Sequence, residues 1–331
     1  MSDSRSKTPW DLAGQKTPIQ QFLLARYQSH CQERHPALKD SGETDLINSV
    51  VPVSCPYCSN AAFSRFGLTK NGVQRYRCKA CGRTFTPVTG TIFDCHKISI
   101  SEWTEYCLNL FRYLSVTADS RNNRNAITTS RYWLEKLFLV LEGYESDIIL
   151  DGRIWFYETC YTVGSENIMP KPGGSKPEGL SKKQLCLGVA CTKDRILCLL
   201  EGKGQPTNRK TYIAFKDHIA PGSTLVHDNG KAYGLLISKL RLEDEVYNAD
   251  EIKIQPDKEN PLHRVNKVHA SLKNFLYAHN HFNRDSMQGY LNLFSFAMNP
   301  PSNHLEKLEI VLNRAFLTRK TLRYRDFYNM L

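Results

Sequence analysis

The sequence predicts an α/β protein in which helices cover both faces of a mixed sheet. Three observations predict this class. Three strand-like runs follow one another after Ile148, and the strand-like runs after them alternate with helical ones. Between residues 100 and 141 apolar residues recur at helical spacing. The 331 residues, 41% of them hydrophobic, suffice for roughly two domains with buried cores.

The charge of the chain predicts a polyanionic partner. Lys and Arg number 44 against 33 Asp and Glu, a net charge of +11. Such a surplus favours nucleic acid over a membrane surface. No run approaches the roughly 18 apolar residues of a membrane span, and the first residues lack the apolar segment of a secretory signal. We therefore expect no membrane partner and a cytoplasmic location, with the 11 cysteines reduced or bound to metal.

Residues 1–50 are polar, and the sequence predicts no role for them. The next segment, residues 51–93, carries two CxxC pairs: Cys55 with Cys58, and Cys78 with Cys81. The pairs are separated by 19 residues, and a spacer of about 15–20 is typical of four thiolates around one Zn²⁺. Because four thiolates leave no open position, we expect a structural zinc in a small ribbon.

The predicted zinc ribbon is basic. Between Cys55 and Gly90 there are no acidic residues and six basic ones: Arg65, Lys70, Arg75, Arg77, Lys79 and Arg83. We expect Arg75, Arg77 and Lys79 to contact the phosphate backbone of DNA. A ribbon that only braces the neighbouring domains is the alternative.

Residues 94–147 read as a helical region. Two helical runs flank a stretch rich in Ser, Thr and Asn, which break and recap helices. Arg121 and Arg124 lie in this stretch beside asparagines, and together they supply donors for phosphates and base edges. A solvated polar helix face is the alternative.

The predicted α/β domain, which contains the sheet, occupies residues 148–300, and residues 301–331 follow as a C-terminal tail. A Pro-, Gly- and Lys-rich loop, residues 169–183, separates the first strand from the second. In order, the strands are IILDGRIWFYETCYTVG (148–164), QLCLGVACTKD (184–194), RILCLLEGK (195–203), STLVHD (223–228) and EVYN (245–248). A helix, GKAYGLLISKL (230–240), separates the last two strands, and a long helical segment starts near Pro261.

Three polar residues of this region are candidate site residues. Asp228 ends an apolar strand, where open α/β sheets bind ligands, although a helix N-cap would also explain it. Asn266 and Lys273 are seven residues apart, which is two helical turns, so both project from one face. A solvated polar face is the alternative for this pair.

Five motifs in this order resemble insertion-sequence transposases of the DDE superfamily, of bacterial type. The resemblance covers about residues 50–298. It includes the cysteine pairs, TGTIF at Thr89–Phe93 followed by Trp103, HDNGKAY around Asp228, PLHRVNKVHASLKNFL (261–276) and MQGYLNLFSF at Met287–Phe296. It implies a ribonuclease H-like domain, preceded by the zinc ribbon and by a helix-turn-helix that reads terminal inverted repeats. It also implies a homo-oligomer acting on double-stranded DNA, both transposon ends and target.

The resemblance further implies a two-metal mechanism for phosphodiester hydrolysis and strand transfer. In this family two carboxylates and a third polar ligand hold a pair of Mg²⁺ ions. One ion lowers the pKa of the attacking water or 3′-hydroxyl, and the other stabilises the leaving oxygen. By this resemblance Asp228 is the second acid, Asn266 the third ligand, and Lys273 a cation that contacts phosphate.

The first acid of the family opens an Asp-Glu-Thr strand motif, and here the sequence departs from the pattern. Tyr157 stands at the position of that aspartate, followed by Glu158 and Thr159. Side chains alternate across a strand, so Tyr157 and Glu158 are expected on opposite faces. A phenol, with a pKa of about 10, is a poor ligand for Mg²⁺.

The departure at Tyr157 leaves three interpretations. The chain is a copy or a transposition regulator that binds DNA without cleaving it. Alternatively, a local bulge brings Glu158 into the site as a substitute acid. In the third interpretation, Tyr157 is a point change in an otherwise active lineage.

Overall fold

The structure is a computed structural model that describes residues 42–94, 99–122, 125–162, 184–252, 256, 259–279 and 284–328. The predicted loop at 169–183 therefore lies outside the described residues. The chain divides into two compact units, residues 1–105 and 106–331. None of the helices in the described ranges combines the length and the apolar character that a membrane crossing requires.

The first unit contains a short helix and a small antiparallel sheet. Helix α1 spans Glu43–Ser49, and the strands, in the order β1-β2-β3, are Phe63–Leu68, Gln74–Cys78 and Thr84–Phe85. Side chains alternate along β2, so Tyr76 and Cys78 are buried while Arg75 and Arg77 lie on the outer face. A core this small gains much of its stability from a metal when one is bound.

Three helices connect the small sheet to the larger one. They are α2 (Ile100–Phe111), which crosses the boundary between the two units, α3 (Val116–Asn122) and α4 (Ile127–Leu141). Tyr106 packs edge-on against Trp133 at 5.3 Å, and its hydroxyl donates to the backbone carbonyl of Ser130 at 2.7 Å. The buried carboxylate of Asp119 accepts from the Asn109 amide at 2.9 Å and so joins α3 to α2.

The second unit is built around a five-stranded mixed sheet. Its strands are β4 (Arg153–Thr162), β5 (Gln184–Cys191), β6 (Ile196–Lys203), β7 (Thr224–His227) and β8 (Glu243–Val246). Their order is β6-β5-β4-β7-β8, in which β4, β5 and β6 are antiparallel and β7 and β8 run parallel to β4. The predicted mixed sheet is confirmed.

Helices flank this sheet, as the sequence predicts. In chain order they are α5 (Asn208–Phe215), α6 (Gly234–Leu240), α7 (Ala249–Ile252), α8 (His263–Ala278), α9 (Met287–Met298), α10 (His304–Leu317) and α11 (Tyr324–Tyr328). On one face of β4, Ile154 and Phe156 pack in a core with Phe215 of α5 and Leu236 of α6. The predicted α/β class is therefore confirmed.

The opposite face of β4 packs against α8. The indole Nε1 of Trp155 donates to the carbonyl of Pro261 at 2.9 Å, just before α8 begins. Further along the strand, the rings of Tyr161 and Tyr277 lie 6.3 Å apart. Strand and helix therefore run side by side in the same direction, which brings the polar residues of α8 next to the middle of β4.

Residues 301–331, predicted only as a C-terminal tail, contain the two helices α10 and α11. The guanidinium of Arg314 donates to the carbonyl of Val140 at 3.1 Å, which ties α10 to α4. The buried amine of Lys307 donates to the carbonyl of Phe296 at 2.7 Å. This segment is therefore packed on the second unit through its own apolar face, with Val311 and Ala315 fully buried.

Candidate functional site

Four cysteines converge in the first unit. The sulfurs of Cys55 and Cys81 are 3.7 Å apart, those of Cys58 and Cys78 are 3.6 Å apart, and all four lie within 4.8 Å of one another. A tetrahedral ion with metal–sulfur bonds of about 2.3 Å requires sulfur–sulfur edges of about 3.8 Å. The four cysteines therefore form a group that could hold a metal ion, and the identity of that ion as zinc stays a prediction.

The local backbone prepares these cysteines for a metal. Gly82 has a φ of 70°, a left-handed conformation that glycine adopts without strain, and its N–H donates to the carbonyl of Cys78 at 3.1 Å. The backbone N–H of Cys81 lowers the pKa of the Cys78 thiol to about 7. Burial, and then the hydrogen bond with Cys78, raise the pKa of the Cys58 thiol, so Cys58 keeps the proton of this pair until a metal takes its place.

The outer face of the ribbon brings arginines and exposed aromatic rings together. The guanidinium groups of Arg75 and Arg77 lie over the ring of Phe66, at 5.5 and 5.2 Å from its centre. Arg83 lies over the ring of Tyr57 at 5.0 Å. The third predicted phosphate contact of the ribbon, Lys79, directly follows β2 and is exposed.

The two rings on this face, Tyr57 and Phe66, were not predicted as functional residues. The sequence FSRFGL (63–68) carries a weak signal for Phe66. Phe63 packs in the ribbon core, and alternation along the strand places Phe66, three residues later, on the opposite face. Sequence reasoning weighed only the charges of the ribbon.

Tyr157 faces α8 from the middle of β4. Its ring lies 5.0 Å from that of His269, which sequence reasoning also missed. Burial, and then the charge of Lys273, lower the pKa of His269 to about 4, so this imidazole is neutral at physiological pH. His269 stands three residues after Asn266 and four before Lys273, and this helical spacing is the signal that would have found it.

Asn266 and Lys273 lie on α8 with exposed side chains. The buried residues of this helix form its apolar face: Val265, Val268, Leu272, Phe275 and Leu276. The two candidates flank His269 on the same helix. The structure therefore places Asn266 and Lys273 on the helix that packs beside Tyr157.

Asp228 directly follows β7 and is half-buried. In the parallel pairing of β4 with β7, Trp155 lies opposite Val226, which places Asp228 at the level of Tyr157. Asn229 then turns the chain with a φ of 64°, and α6 begins only at Gly234. Because the N-cap of α6 is Tyr233, the interpretation of Asp228 as a helix N-cap is wrong.

Glu158 points to the face opposite Tyr157, as the alternation predicts. Its carboxylate accepts a hydrogen bond from the hydroxyl of Tyr233 and lies 3.5 Å from the hydroxyl of Thr211. Thr211 also donates to the buried Glu201 at 2.9 Å. Burial above all, and then the charges of Glu201 and Asp228, raise the pKa of Glu158 to about 8.

The bulge that would turn Glu158 into the site is absent from the described strand. β4 pairs with β5 in continuous register, from Trp155 opposite Cys191 to Thr162 opposite Gln184. The bulge interpretation is therefore wrong. A regular strand keeps Glu158 on the Tyr233 side and Tyr157 on the α8 side.

The residues around Tyr157 do not fit a pair of Mg²⁺ ions. Such a centre requires several oxygen ligands, mainly carboxylates, to converge. Asp228 is the carboxylate at this level, while position 157 supplies a phenol. In the described parts of the chain, the four cysteines are the one group of three or more His, Cys, Asp or Glu residues close enough to share an ion.

The second predicted DNA-contacting set consists of Arg121 and Arg124. Arg121 is exposed in the last turn of α3. Arg124 lies outside the described residues. The recognition of base edges by these two arginines therefore stays a prediction.

Comparisons with known proteins give one short match in sequence. No protein-family model matches the chain. A stretch of 69 residues, 21% of the chain, is 33% identical to an uncharacterized protein in transposable element ISH50 of Halobacterium salinarum. The match spans 22% of the length of that relative.

Two solved structures resemble the chain distantly. One is the Mos1 strand transfer complex, with a TM-score of 0.30 and 10% identity over 64% of this chain and 77% of the other. The second is a pre-cleavage Mos1 transpososome, with a TM-score of 0.26 and 10% identity over 66% and 79%.

Proposed function

We propose that the chain is an insertion-sequence transposase of the DDE type in origin, and that this copy binds transposon-end DNA without cleaving it. The five ordered motifs, the basic charge and the short match to a transposable-element protein support the transposase origin. The proposed absence of cleavage is supported by Tyr157, which stands at the position of the first acid and faces α8 from a regular strand.

DNA binding is assigned to the ribbon and to the helices after it. The four cysteines hold one structural Zn²⁺, which fixes the strands that carry Arg75 and Arg77. These arginines and Lys79 neutralise phosphates, while Arg121 and Arg124 contact base edges of the terminal repeat. Binding takes place as a homo-oligomer, because a transposon has two ends to hold together.

The loss of cleavage follows from the two residues at and next to the position of the first acid, Tyr157 and Glu158. The phenol of Tyr157 is a poor ligand for Mg²⁺. Glu158 faces away, is engaged by Tyr233, and has a pKa raised to about 8 that keeps it largely protonated. Asp228, Asn266 and Lys273 keep the family pattern but lack the charge that would complete a metal pair.

One assay on a duplex with a terminal repeat tests both halves of this proposal. The full chain is expected to shift the end duplex in preference to an unrelated duplex and to leave both strands intact in Mg²⁺ or Mn²⁺. Strand nicking at the end by the unaltered chain would contradict the second half of the proposal. Equal affinity for the two duplexes would count against the transposase origin.

A further inference from the structure

The outer face of the ribbon carries two exposed aromatic rings that bound one depression. Tyr57 is 47% exposed and Phe66 is 41% exposed. The depression is open to solvent, has a volume of about 630 Å³, and is lined by Tyr57, Phe66, Arg77, Gly82, Arg83 and Thr84. Tyr57, Phe66, Arg77 and Arg83 are called the aromatic–arginine surface below.

The ribbon core does not account for the two rings of this surface. That core is formed by Phe63, Tyr76 and Phe85, whose rings meet at 5.4–5.7 Å, together with Cys55 and Cys78. A single exposed ring is common on protein surfaces. Two rings on one depression, each paired with a guanidinium group, form a surface with a defined ligand chemistry.

The charges of the surface select an anionic ligand. Between Cys55 and Gly90 the chain has six basic residues and no acidic one, so cationic ligands are repelled. Guanidinium groups bind phosphates, and both guanidinium planes and aromatic rings stack on nucleobases. An acidic peptide would use the arginines and leave the rings without a role, so nucleic acid fits the whole surface better.

The rings also select the form of the nucleic acid. In a duplex the faces of the bases are covered by their neighbours, so an exposed ring has no base face to stack on. In a single strand each base offers a free face. The depression is open rather than enclosed, which suits a polymer that crosses it rather than a small molecule that is engulfed.

We propose that the aromatic–arginine surface binds the unpaired bases of single-stranded DNA, with Tyr57 and Phe66 stacking on bases and Arg77 and Arg83 on phosphates. The proposal rests on the proposed function and deepens it, because it names the form of DNA that the ribbon takes. Such strands occur beside a transposon end wherever the duplex is frayed or nicked.

Fluorescence anisotropy with the full chain tests this directly. One probe is a thymidine strand of about 12 nucleotides, and the second is an abasic strand of the same length, which has the same phosphates but no bases. Because stacking contributes strongly to single-strand affinity, the thymidine strand is expected to bind at least about 5-fold more tightly. Equal affinity for the two strands would overturn the proposal.

Variants assign the base preference to the rings. Phe66→Ala and Tyr57→Ala are each expected to reduce that preference severalfold and to leave the affinity for a duplex end within about 2-fold. Phe66→Tyr is expected to retain the preference, because the ring remains. Leu68→Ala is the matched control, since Leu68 is an exposed apolar residue (57%) of the same strand that does not line the depression.

Two further outcomes separate this proposal from its rivals. If the alanine variants, with zinc content unchanged, lose duplex and single-strand affinity in equal proportion, the surface serves the duplex and the proposal is wrong. Displacement of the thymidine strand by poly-glutamate as effectively as by unlabelled thymidine strand would also overturn it. If the unaltered chain binds end and unrelated duplexes equally but still prefers the thymidine strand to the abasic strand, the proposed function is wrong and this inference stands.

Discussion

The carboxyl of Glu158 makes the stability of the second unit depend on pH in an unusual direction. Glu158 is packed against Tyr233 and Thr211, and burial raises its pKa from an ordinary value of 4.5 to about 8. A group with a raised folded-state pKa stabilises the fold when protonated. Its contribution is fully present below the unfolded pKa and is lost as the pH rises through about 8.

The size of the effect follows from the same shift. Between about pH 6 and pH 8 the folded state holds one proton that the unfolded state has released, so each pH unit lowers the free energy of unfolding by about 1.4 kcal/mol. From about pH 6 to about pH 9 the expected loss is about 2.5 kcal/mol. This figure is the contribution of Glu158 alone: His269 and His279 titrate near pH 4, outside the window, but burial lowers the pKa of Lys307 to about 8, so Lys307 titrates inside it with the opposite sign. The difference between the unaltered chain and a Glu158 variant isolates the Glu158 contribution.

Urea denaturation at about pH 6 and about pH 9 measures this loss. Glu158→Gln keeps a hydrogen-bond acceptor for Tyr233 but has no proton to lose, so its free energy of unfolding is expected to fall by about 2.5 kcal/mol less over the same interval. Glu309→Gln, at an exposed position of α10, is the matched control and is expected to behave as the unaltered chain. If Glu158→Gln and the unaltered chain show the same pH dependence, Glu158 is not the group responsible for it.

The remaining predictions concern the ribbon and the helices. Cys58→Ser is expected to remove the zinc and to raise hydrogen exchange across residues 51–93, while exchange in the large sheet is unchanged; a zinc content near zero in the unaltered native chain would contradict the site. Joint replacement of Arg75, Arg77 and Lys79 by Gln is expected to weaken binding to every duplex and to reduce the slope of log K against log salt by about 0.9 for each phosphate that is no longer neutralised. Arg121→Gln is instead expected to reduce the preference for the end duplex over an unrelated duplex. If the ribbon variant and Arg121→Gln change the two affinities in the same way, the assignment of the ribbon to phosphates and of Arg121 to bases is wrong.

Features set by local spacing were predictable from the sequence. The four cysteines converge because each CxxC turn directs two sulfurs to one point, which depends on few residues outside the ribbon. The opposite orientation of Tyr157 and Glu158 follows from the period of two along any regular strand. Most of the mixed sheet was predicted because β4 is rich in β-branched and aromatic residues and β5, β6 and β7 are apolar. The last strand was expected at 245–248 and is instead Glu243–Val246, whose acidic sequence carries no strand signal.

Features set by long-range packing were not predictable. Glu158 meets Tyr233 across 75 residues and Thr211 across 53, and the unsuspected acid in this cluster, Glu201, comes from a fourth element, β6. Nothing in the local pattern of β4 shows which faces of α5 and α6 will cover it. Helix α10 was missed for the same reason, because its amphipathic face matters only once α4 is there to receive it, as through the hydrogen bond from Arg314.

The missing carboxylate at position 157 can be restored by one substitution, Tyr157→Asp. If about 4 kcal/mol of transition-state stabilisation is missing with that carboxylate, cleavage is slowed roughly 10³-fold. Tyr157→Asn is the control, since it has nearly the size of aspartate without its charge.

The decisive measurement is therefore strand cleavage of a pre-formed transposon-end duplex in Mg²⁺ by the unaltered chain, Tyr157→Asp and Tyr157→Asn, at equal DNA occupancy. Cleavage is expected from Tyr157→Asp alone, at least about 10³-fold faster than from the other two, and adding Glu158→Gln to this variant is expected to change its rate little. Robust cleavage by the unaltered chain, or none by Tyr157→Asp while it binds the end normally, would contradict the account.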